Sequence, residues 1–234
     1  MKNMIYLSVF VAGMILTTGT LIGQSTEKET RNVSGFTEIG YGIAGNLYVK
    51  IGSEFNVVIE CDKEYLSEIE TTVRNGKLII RNDNNRFFNN LKADIHLTLP
   101  ELKGINVSGS GDAKIESSIK NEVLTLNVSG SGKIIASEVV TDKLDCSISG
   151  SGDVIMKGGG EIGNGDISIN GSGYYSGETT RFKNLHVHIS GSGNCTCNVT
   201  ESLDASISGS GNVNYTGAAK VNARVSGSGH VRSK

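Results

Sequence analysis

Residues 144–156 read LDCSISGSGDVIM and residues 185–197 read LHVHISGSGNCTC; in both, a Gly-Ser-Gly triplet separates two runs that alternate apolar and polar residues. Seven such triplets recur at intervals of 18 to 21 residues. Their glycines are Gly109, Gly111, Gly130, Gly132, Gly150, Gly152, Gly171, Gly173, Gly191, Gly193, Gly209, Gly211, Gly227 and Gly229. Repeats of this length are typical of solenoids, because one repeat alone cannot bury its apolar side. The spacing predicts a regular repeat region over residues 105–234.

The residues around each triplet predict two short strands joined by a glycine corner. Around Gly150 the apolar positions recur every second residue, as in strands with one buried face. They are Leu144, Cys146, Ile148, Val154 and Met156, and the strands before the last two triplets repeat the pattern of a buried face with Leu203, Ala205 and Ile207 and with Val221, Ala223 and Val225. Equivalent strands of successive repeats run in the same direction and should pair in parallel, ~4.8 Å apart. Glycine suits the corner because a sharp turn through positive φ costs other residues about 1–2 kcal/mol. The predicted fold is all-β: a parallel β-helix (solenoid) with coils of about 18–21 residues.

The N-terminal segment has the pattern of an exported protein. Residues 1–24 begin with Lys2, continue through an apolar run too short to span a bilayer comfortably, and end in small residues, which is typical of a cleavable signal peptide. We expect residues 25–32 to be a flexible leader, and residues 33–104, which have strand patterns but no triplet, to form irregular coils that cap the β-helix. The expected location is the periplasm, the outer surface or the medium, with no transmembrane span in the mature chain.

Composition and charge exclude several classes of ligand. With 22 Lys and Arg against 24 Asp and Glu, the formal net charge is −2, and no basic face for nucleic acid is evident. The chain has no Trp and few aromatic residues, which argues against a large platform for stacking sugars. The Gly-Ser-Gly-Asp segments are not followed by a helix, as a nucleotide-binding loop would be. No cofactor is therefore predicted.

Three of the four cysteines fall in the apolar columns of the repeat. Cys146 shares its position with Leu126 and Val187, and the pair Cys195 and Cys197 shares the positions of Val154 and Met156. We expect all three to be buried thiols, with a disulfide as the alternative that export would permit. A bridge between residues two apart on one strand would be strained.

Two outward columns carry the candidate binding residues. Five residues before each triplet stand Thr125, Asp145, Asp166, His186, Asp204 and Asn222, and His188 lies in the neighbouring column with Asn106, Asn127, Ser147, Ser168, Ser206 and Arg224. Stacked carboxylates ~5 Å apart could share a divalent cation or form an acid–base pair with the histidine. The favoured interpretation is a solvated face with one His–Asp pair, because exposed charges interact weakly. No metal ligand or catalytic residue is assigned.

Two further features suggest contacts with a partner. Phe87 and Phe88 lie in the polar segment NDNNRFFNN of residues 82–90. Either they form an exposed adhesive or dimer-forming tip or, as the favoured interpretation, one or both fold back over the end of the core. The last coil, which ends at Val231, has no following coil to pair with, so a homo-oligomer through this end is a hypothesis.

The chain resembles a family of secreted bacterial proteins named as auto-transporter adhesins with a head GIN domain. The similarity is carried by RNVSGFTEI at residues 31–39, by VVIECDKEYLSEIETTVRNGKLII at residues 57–80, and by the repeats of the type VSGSGD at residues 107–112. It covers about residues 31–234. The resemblance implies a right-handed parallel β-helix outside the cytoplasm, and it implies no catalytic residues.

The leading functional hypothesis is a non-catalytic, adhesin-like module that binds an unidentified glycan or protein ligand through its ladder faces. A polysaccharide lyase or hydrolase on the same scaffold is the alternative, although the short coils leave little sequence for the loops of a cleft. A structural component of the cell envelope is a third possibility, and it differs from an adhesin only in its partner.

Overall fold

The computed structural model describes residues 26–82 and 93–234. Within them, nineteen strands and one helical turn follow one another along the chain. They are β1 (Thr26–Arg31), β2 (Glu38–Tyr41), β3 (Gly45–Ile51), β4 (Asn56–Asp62), α1 (Lys63–Leu66), β5 (Ile69–Arg74), β6 (Lys77–Asn82), β7 (Ala93–Leu99), β8 (Gly104–Gly109), β9 (Asp112–Ile115), β10 (Ile119–Gly130), β11 (Lys133–Ala136), β12 (Val139–Gly150), β13 (Asp153–Met156), β14 (Gly160–Gly171), β15 (Tyr174–Gly191), β16 (Asn194–Gly209), β17 (Asn212–Thr216), β18 (Lys220–Gly227) and β19 (His230–Ser233).

Three parallel ladders run along the molecule. The first ladder begins with β6 and β2 and continues through the strands that precede the triplets, in the order β8, β10, β12, β14, β15, β16, β18. The second ladder begins with β7 and β3 and continues through the strands that follow the triplets, in the order β9, β11, β13, β15, β16, β17, β19. A shorter third ladder is built from the N-terminal ends of β10, β12 and β14 and the middle of β15 and β16. The prediction of a parallel β-solenoid is confirmed.

The glycine triplets lie in register, and the two glycines of a triplet are required for different reasons. The first glycine of every triplet has a φ between +114° and +128°. At Gly150, a Cβ would also stand only 2.6 Å from the carbonyl oxygen of Gly130 in the preceding coil. At Gly152, a Cβ would stand 2.4 Å from the oxygen of Gly132. The corner is therefore narrow as well as left-handed, so neighbouring coils can approach to hydrogen-bonding distance only if both positions lack a side chain.

The core fills the space between the ladders. Its columns are the alternating apolar positions of the repeat, and Cys146, Cys195 and Cys197 are buried in them as free thiols, as predicted. Large and small residues compensate one another between neighbouring columns. Gly177 leaves room for the ring of Tyr175, whose Cε1 would lie 2.8 Å from an added Cβ. This alternation keeps the interior filled although the coils differ in sequence.

The N-terminal end is closed by antiparallel strands. β4 pairs with β7, and β1 pairs with β4 through six residues. The expectation of a flexible leader over residues 25–32 is therefore wrong for residues 26–31, because the polar sequence of β1 gains a backbone partner that is distant in the chain. β5 and β6 form a hairpin whose turn has positive φ at Asn75 and Gly76, as the Asn-Gly pair predicts. Phe87 and Phe88 lie outside the described residues.

The last coil differs from the others in burial. Val221, Ala223 and Val225 align with the buried columns of β16, as the repeat predicts, yet every residue of β18 is exposed. Val221 is 38% and Val225 43% exposed. The prediction that these side chains are buried is wrong, because β18 packs against the preceding coil on one side only.

Candidate functional site

The predicted outward columns form on the first ladder. Strand pairing places Thr125, Asp145, Asp166, His186, Asp204 and Asn222 at directly adjacent positions across six strands. The second column is likewise in register and runs through Asn106, Asn127, Ser147, Ser168, His188, Ser206 and Arg224. Because strand side chains alternate between faces, both columns project from the same outward side of the sheet.

The C-terminal part of these columns surrounds a shallow groove of about 230 Å³. Its polar lining consists of Asp166, His186, His188, Asp204, Ser206, Asn222 and Arg224. Val187 of β15 and Ala205 of β16 complete the lining, on strands that are paired in the first ladder. Four ionisable candidates from the sequence, Asp166, His186, His188 and Asp204, therefore converge on one surface feature. We call this feature the ladder groove.

Asp204 is the most strongly engaged side chain of the ladder groove. Its Oδ2 lies 3.6 Å from Nδ1 of His186, and its Oδ1 accepts a 2.9 Å hydrogen bond from Nδ2 of Asn222. Both carboxylate oxygens thus have a partner. The side chain is still 44% exposed and that of His186 is 66% exposed, so the pair is accessible to a ligand. This is the single His–Asp pair that the sequence favoured.

Asp145 lies outside the ladder groove. Lys143 places its Nζ 2.9 Å from the Asp145 carboxylate, which offsets the repulsion expected between Asp145 and Asp166. Asp166 lines the groove and remains available as an acceptor. The register of the column is thus as predicted. Asp145, however, pairs with Lys143 outside the groove, whereas Asp166, His186, His188 and Asp204 line it.

No three His, Cys, Asp or Glu side chains converge as metal ligands in the described ranges, 26–82 and 93–234. The thiols offer no surface nucleophile, since all four are buried. Burial raises the pKa of the Cys146 thiol. The pKa of the Cys195 thiol is also raised. The largest cause is its hydrogen bond to Cys197, and the second cause is burial. The thiolate is the reactive form, so these residues serve packing rather than chemistry.

The outward face of the second ladder holds a cluster that the sequence reasoning missed. The rings of Tyr48 and His96 stack with their centroids 4.9 Å apart and their planes at 10°. Lys114 places its Nζ 4.9 Å from the Tyr48 centroid on the neighbouring strand, and it also donates to Oδ1 of Asn46. These residues lie where the triplet repeat has not yet begun, so their cross-strand alignment could be read only from the register.

The fold and this face define a class of protein: a parallel β-solenoid that presents aligned polar columns on a rigid sheet. Within that class, the chain belongs to the family described as "Putative auto-transporter adhesin, head GIN domain", which matches residues 35–219. The family resemblance carried by the sequence motifs is confirmed. No curated protein matches the chain.

Several solved structures share the architecture of this chain. A putative adhesin from Bacteroides fragilis is 25% identical, with a TM-score of 0.83 over 90% of this chain and 98% of that one. A putative adhesin from Parabacteroides merdae is 22% identical, with a TM-score of 0.71 over 91% of this chain and 97% of that one. A putative lipid binding protein from Parabacteroides distasonis is 22% identical, with a TM-score of 0.69 over 91% of this chain and 98% of that one. At 22% identity, the two Parabacteroides structures show that the fold is shared and carry no information about function.

In the part of the chain that the structure describes, no helix has the length and apolar character needed to cross a bilayer.

Proposed function

We propose that this chain is a non-catalytic, exported binding module that holds a glycan in the ladder groove. The observation that carries the proposal is the convergence of hydrogen-bond donors and acceptors from β14, β15, β16 and β18 on one exposed surface of fixed geometry. Sugar hydroxyls are recognised by a few well-placed polar groups of this kind. Membership in a family named for adhesins supports a location outside the cytoplasm.

The chemistry of the groove favours binding over cleavage. Asp166 and Asp204 are two strands apart, or roughly 10 Å at the usual strand spacing, which is near the upper limit for the two carboxyl groups of an inverting glycosidase. The acid of such a pair sits in an apolar pocket that keeps it protonated. Here Asp166 is exposed, and Asp204 is held by Asn222 while remaining 44% exposed. Neither carboxyl group has the environment of a general acid.

The surroundings of the groove also suit a polar ligand. The column of His188 continues toward the N-terminal end through Ser168, Ser147 and Asn127, which are short polar side chains in register. A chain of sugars lying along the solenoid would meet a repeated set of hydroxyl and amide groups ~4.8 Å apart. Ordered water would bridge the remaining gaps.

A glycan array probed with the purified protein tests the proposal. We expect reproducible binding to a defined set of glycans and a loss of at least about tenfold in affinity in Asp166→Asn and in His188→Ala. The first variant replaces a charged acceptor oxygen with an amide group, and the second removes a hydrogen-bonding group. Asp145→Asn is the matched control, because it changes the same column outside the groove and should bind normally. Equal loss in all three variants would contradict a site in the groove.

Two other outcomes separate the competing functions. Release of new reducing ends from a bound polysaccharide would show a hydrolase or lyase and would overturn the non-catalytic assignment. Recovery of a single envelope protein in a pull-down, with no glycan bound on the array, would indicate a structural envelope component or a protein ligand instead.

A further inference from the structure

The charges of the chain are distributed unevenly along the solenoid. Residues 205–234 contain four Lys or Arg and no Asp or Glu, whereas the whole chain has a slight excess of acidic residues. Of the four, Lys234 pairs with Glu178. Lys220, Arg224 and Arg232 make no ion pair in the described ranges. The terminal coil therefore carries an excess of positive charge, divided between the two ladders, on an otherwise balanced molecule, and its residues Asn222 and Arg224 form one wall of the ladder groove.

Arg224 is the cation of that wall. It lies on β18 in the same outward column as Ser206 on β16 and His188 on β15. At the usual strand spacing this column of three donors extends over roughly 10 Å. The guanidinium of Arg224 has five N–H donors in a planar fork, which matches the two oxygens of a carboxylate.

The neighbouring column supplies acceptors rather than further cations. Asp166 is exposed and keeps its carboxylate available, and Asp204 keeps part of its carboxylate accessible while holding Asn222. Residues two apart on a strand lie roughly 7 Å from one another, so donors and acceptors face each other across the groove at about the width of one sugar ring. A ligand that fits both columns has an anionic group on one edge and hydroxyl groups on the other.

We infer that the ladder groove binds a carboxylated sugar residue of an anionic glycan. The ligand's carboxylate lies on Arg224 and accepts further hydrogen bonds from Ser206 and His188. Its hydroxyl groups donate to Asp166 and Asp204. This inference rests on the proposed glycan-binding function and adds the chemical class of the ligand.

Titration calorimetry with matched oligosaccharides tests the inference on the full-length protein. The probes are an oligosaccharide of uronic acid residues, the same oligosaccharide with its carboxyl groups reduced to alcohols, and a sulfated oligosaccharide of equal length. We expect the uronic acid form to bind at least about tenfold more tightly than the reduced form, because an ion pair with two parallel hydrogen bonds is replaced by a hydrogen bond from the guanidinium to a neutral hydroxyl group. Raising the salt concentration should reduce the difference in affinity between the uronic acid form and the reduced form, since the contact with Arg224 is exposed to solvent.

Two variants of the terminal coil test the role assigned to Arg224. Arg224→Gln should lose at least about tenfold in affinity for the uronic acid form while keeping the weaker affinity for the reduced form. Arg232→Gln removes the same charge from β19, which belongs to the second ladder, and should bind like the unchanged protein. An unchanged thermal unfolding temperature of both variants would show that the loss does not come from misfolding.

The other outcomes would each contradict a different part of the inference. Equal binding of the uronic acid and reduced forms would overturn the carboxylate assignment and leave glycan binding intact. Binding of the sulfated form alone would reassign the anion to a sulfate ester. Equal losses in Arg224→Gln and Arg232→Gln, or equal binding of single-stranded DNA, would show unspecific attraction of polyanions. Failure of all three oligosaccharides together with a blank glycan array would overturn the proposed function itself.

Discussion

The corner glycines show how one residue position can carry two separate requirements. Gly109 and Gly150 have almost the same φ, +115° and +114°. A Cβ on Gly109 would meet nothing within 4 Å, whereas a Cβ on Gly150 would stand 2.6 Å from the oxygen of Gly130. The two positions therefore separate the energetic effect of a left-handed backbone from that of close approach.

We predict that Gly109→Ala lowers the free energy of unfolding by about 1–2 kcal/mol, through backbone conformation alone. Gly150→Ala should lower it by several kcal/mol, because the coils must also move apart at that corner. Chemical denaturation of both variants measures the difference. Equal effects in the two variants would contradict the role of close approach.

The buried thiols predict a dependence of stability on alkaline pH. The pKa of Cys146 and of Cys195 is raised in the folded state, so the native protein holds protons that the unfolded chain releases above about pH 8.5. Stability should be fully present below that pH and should fall by up to about 1.4 kcal/mol per pH unit for each thiol as the pH rises further.

Denaturation at pH 8 and pH 10 measures the effect. Cys146→Val should make the fall shallower, since one titrating group is removed and replaced by an apolar residue such as occurs at neighbouring positions of the column. If the free energy of unfolding of this variant fell as steeply with pH as that of the unchanged protein, the contribution assigned to the Cys146 thiol would be contradicted. A thiol reagent should react with the native protein slowly and with the denatured protein fully.

At the scale of the strand, position in the stack decides what a side chain contributes. Ile207 on β16 and Val225 on β18 are directly adjacent in one column, yet Ile207 is 2% exposed and Val225 is 43% exposed. We predict that Ile207→Ala costs about 2–5 kcal/mol and that Val225→Ala changes stability by no more than about 0.5 kcal/mol. Thermal unfolding of the two variants measures this. A large effect of Val225→Ala would mean that another surface covers β18 in solution.

Much of the strand arrangement could be predicted, for an identifiable reason. The triplets place Cys146, Val187 and Leu203 at fixed distances from a corner, so burial in the repeat region follows from counting alone. β1 could not be found this way, because its sequence TEKETR is polar and becomes a strand only by pairing with β4. The exposure of β18 could not be predicted, because the repeat pattern gives the direction of a side chain but not whether a further coil covers it.

The candidate site was predictable to the same degree. The column of Asp166, His186 and Asp204 followed from the spacing. The ion pair of Asp145 with Lys143 did not, because the position of Lys143 holds a lysine again only at Lys220, which stands beside Asn222 rather than a carboxylate. The stack of Tyr48 on His96 joins residues 48 positions apart with no repeat to relate them. Contacts that recur with the period of the coil can be read from the sequence, and contacts peculiar to one coil cannot.

For the whole molecule, a stack of coils with mostly nearest-neighbour contacts should be stable in its middle and weaker at an open end. We predict that backbone amides of β18 and β19 exchange with solvent faster than those of β12 and β14, whose side chains are contacted by coils on both sides. Hydrogen exchange followed by mass spectrometry measures this along the chain. Uniform protection from β10 to β19 would contradict the prediction and indicate that the terminal coil is covered in an oligomer.

The shared register of the corners also bears on how such a protein can change in length. Duplication of one complete unit of about twenty residues would add a single ~4.8 Å step to every column and require no new kind of bend. Insertion of a single residue would instead turn inward-facing groups outward in that unit. The length of the outward polar face can thus be altered in whole increments during evolution, while the chemistry displayed at each increment is set by a few point substitutions.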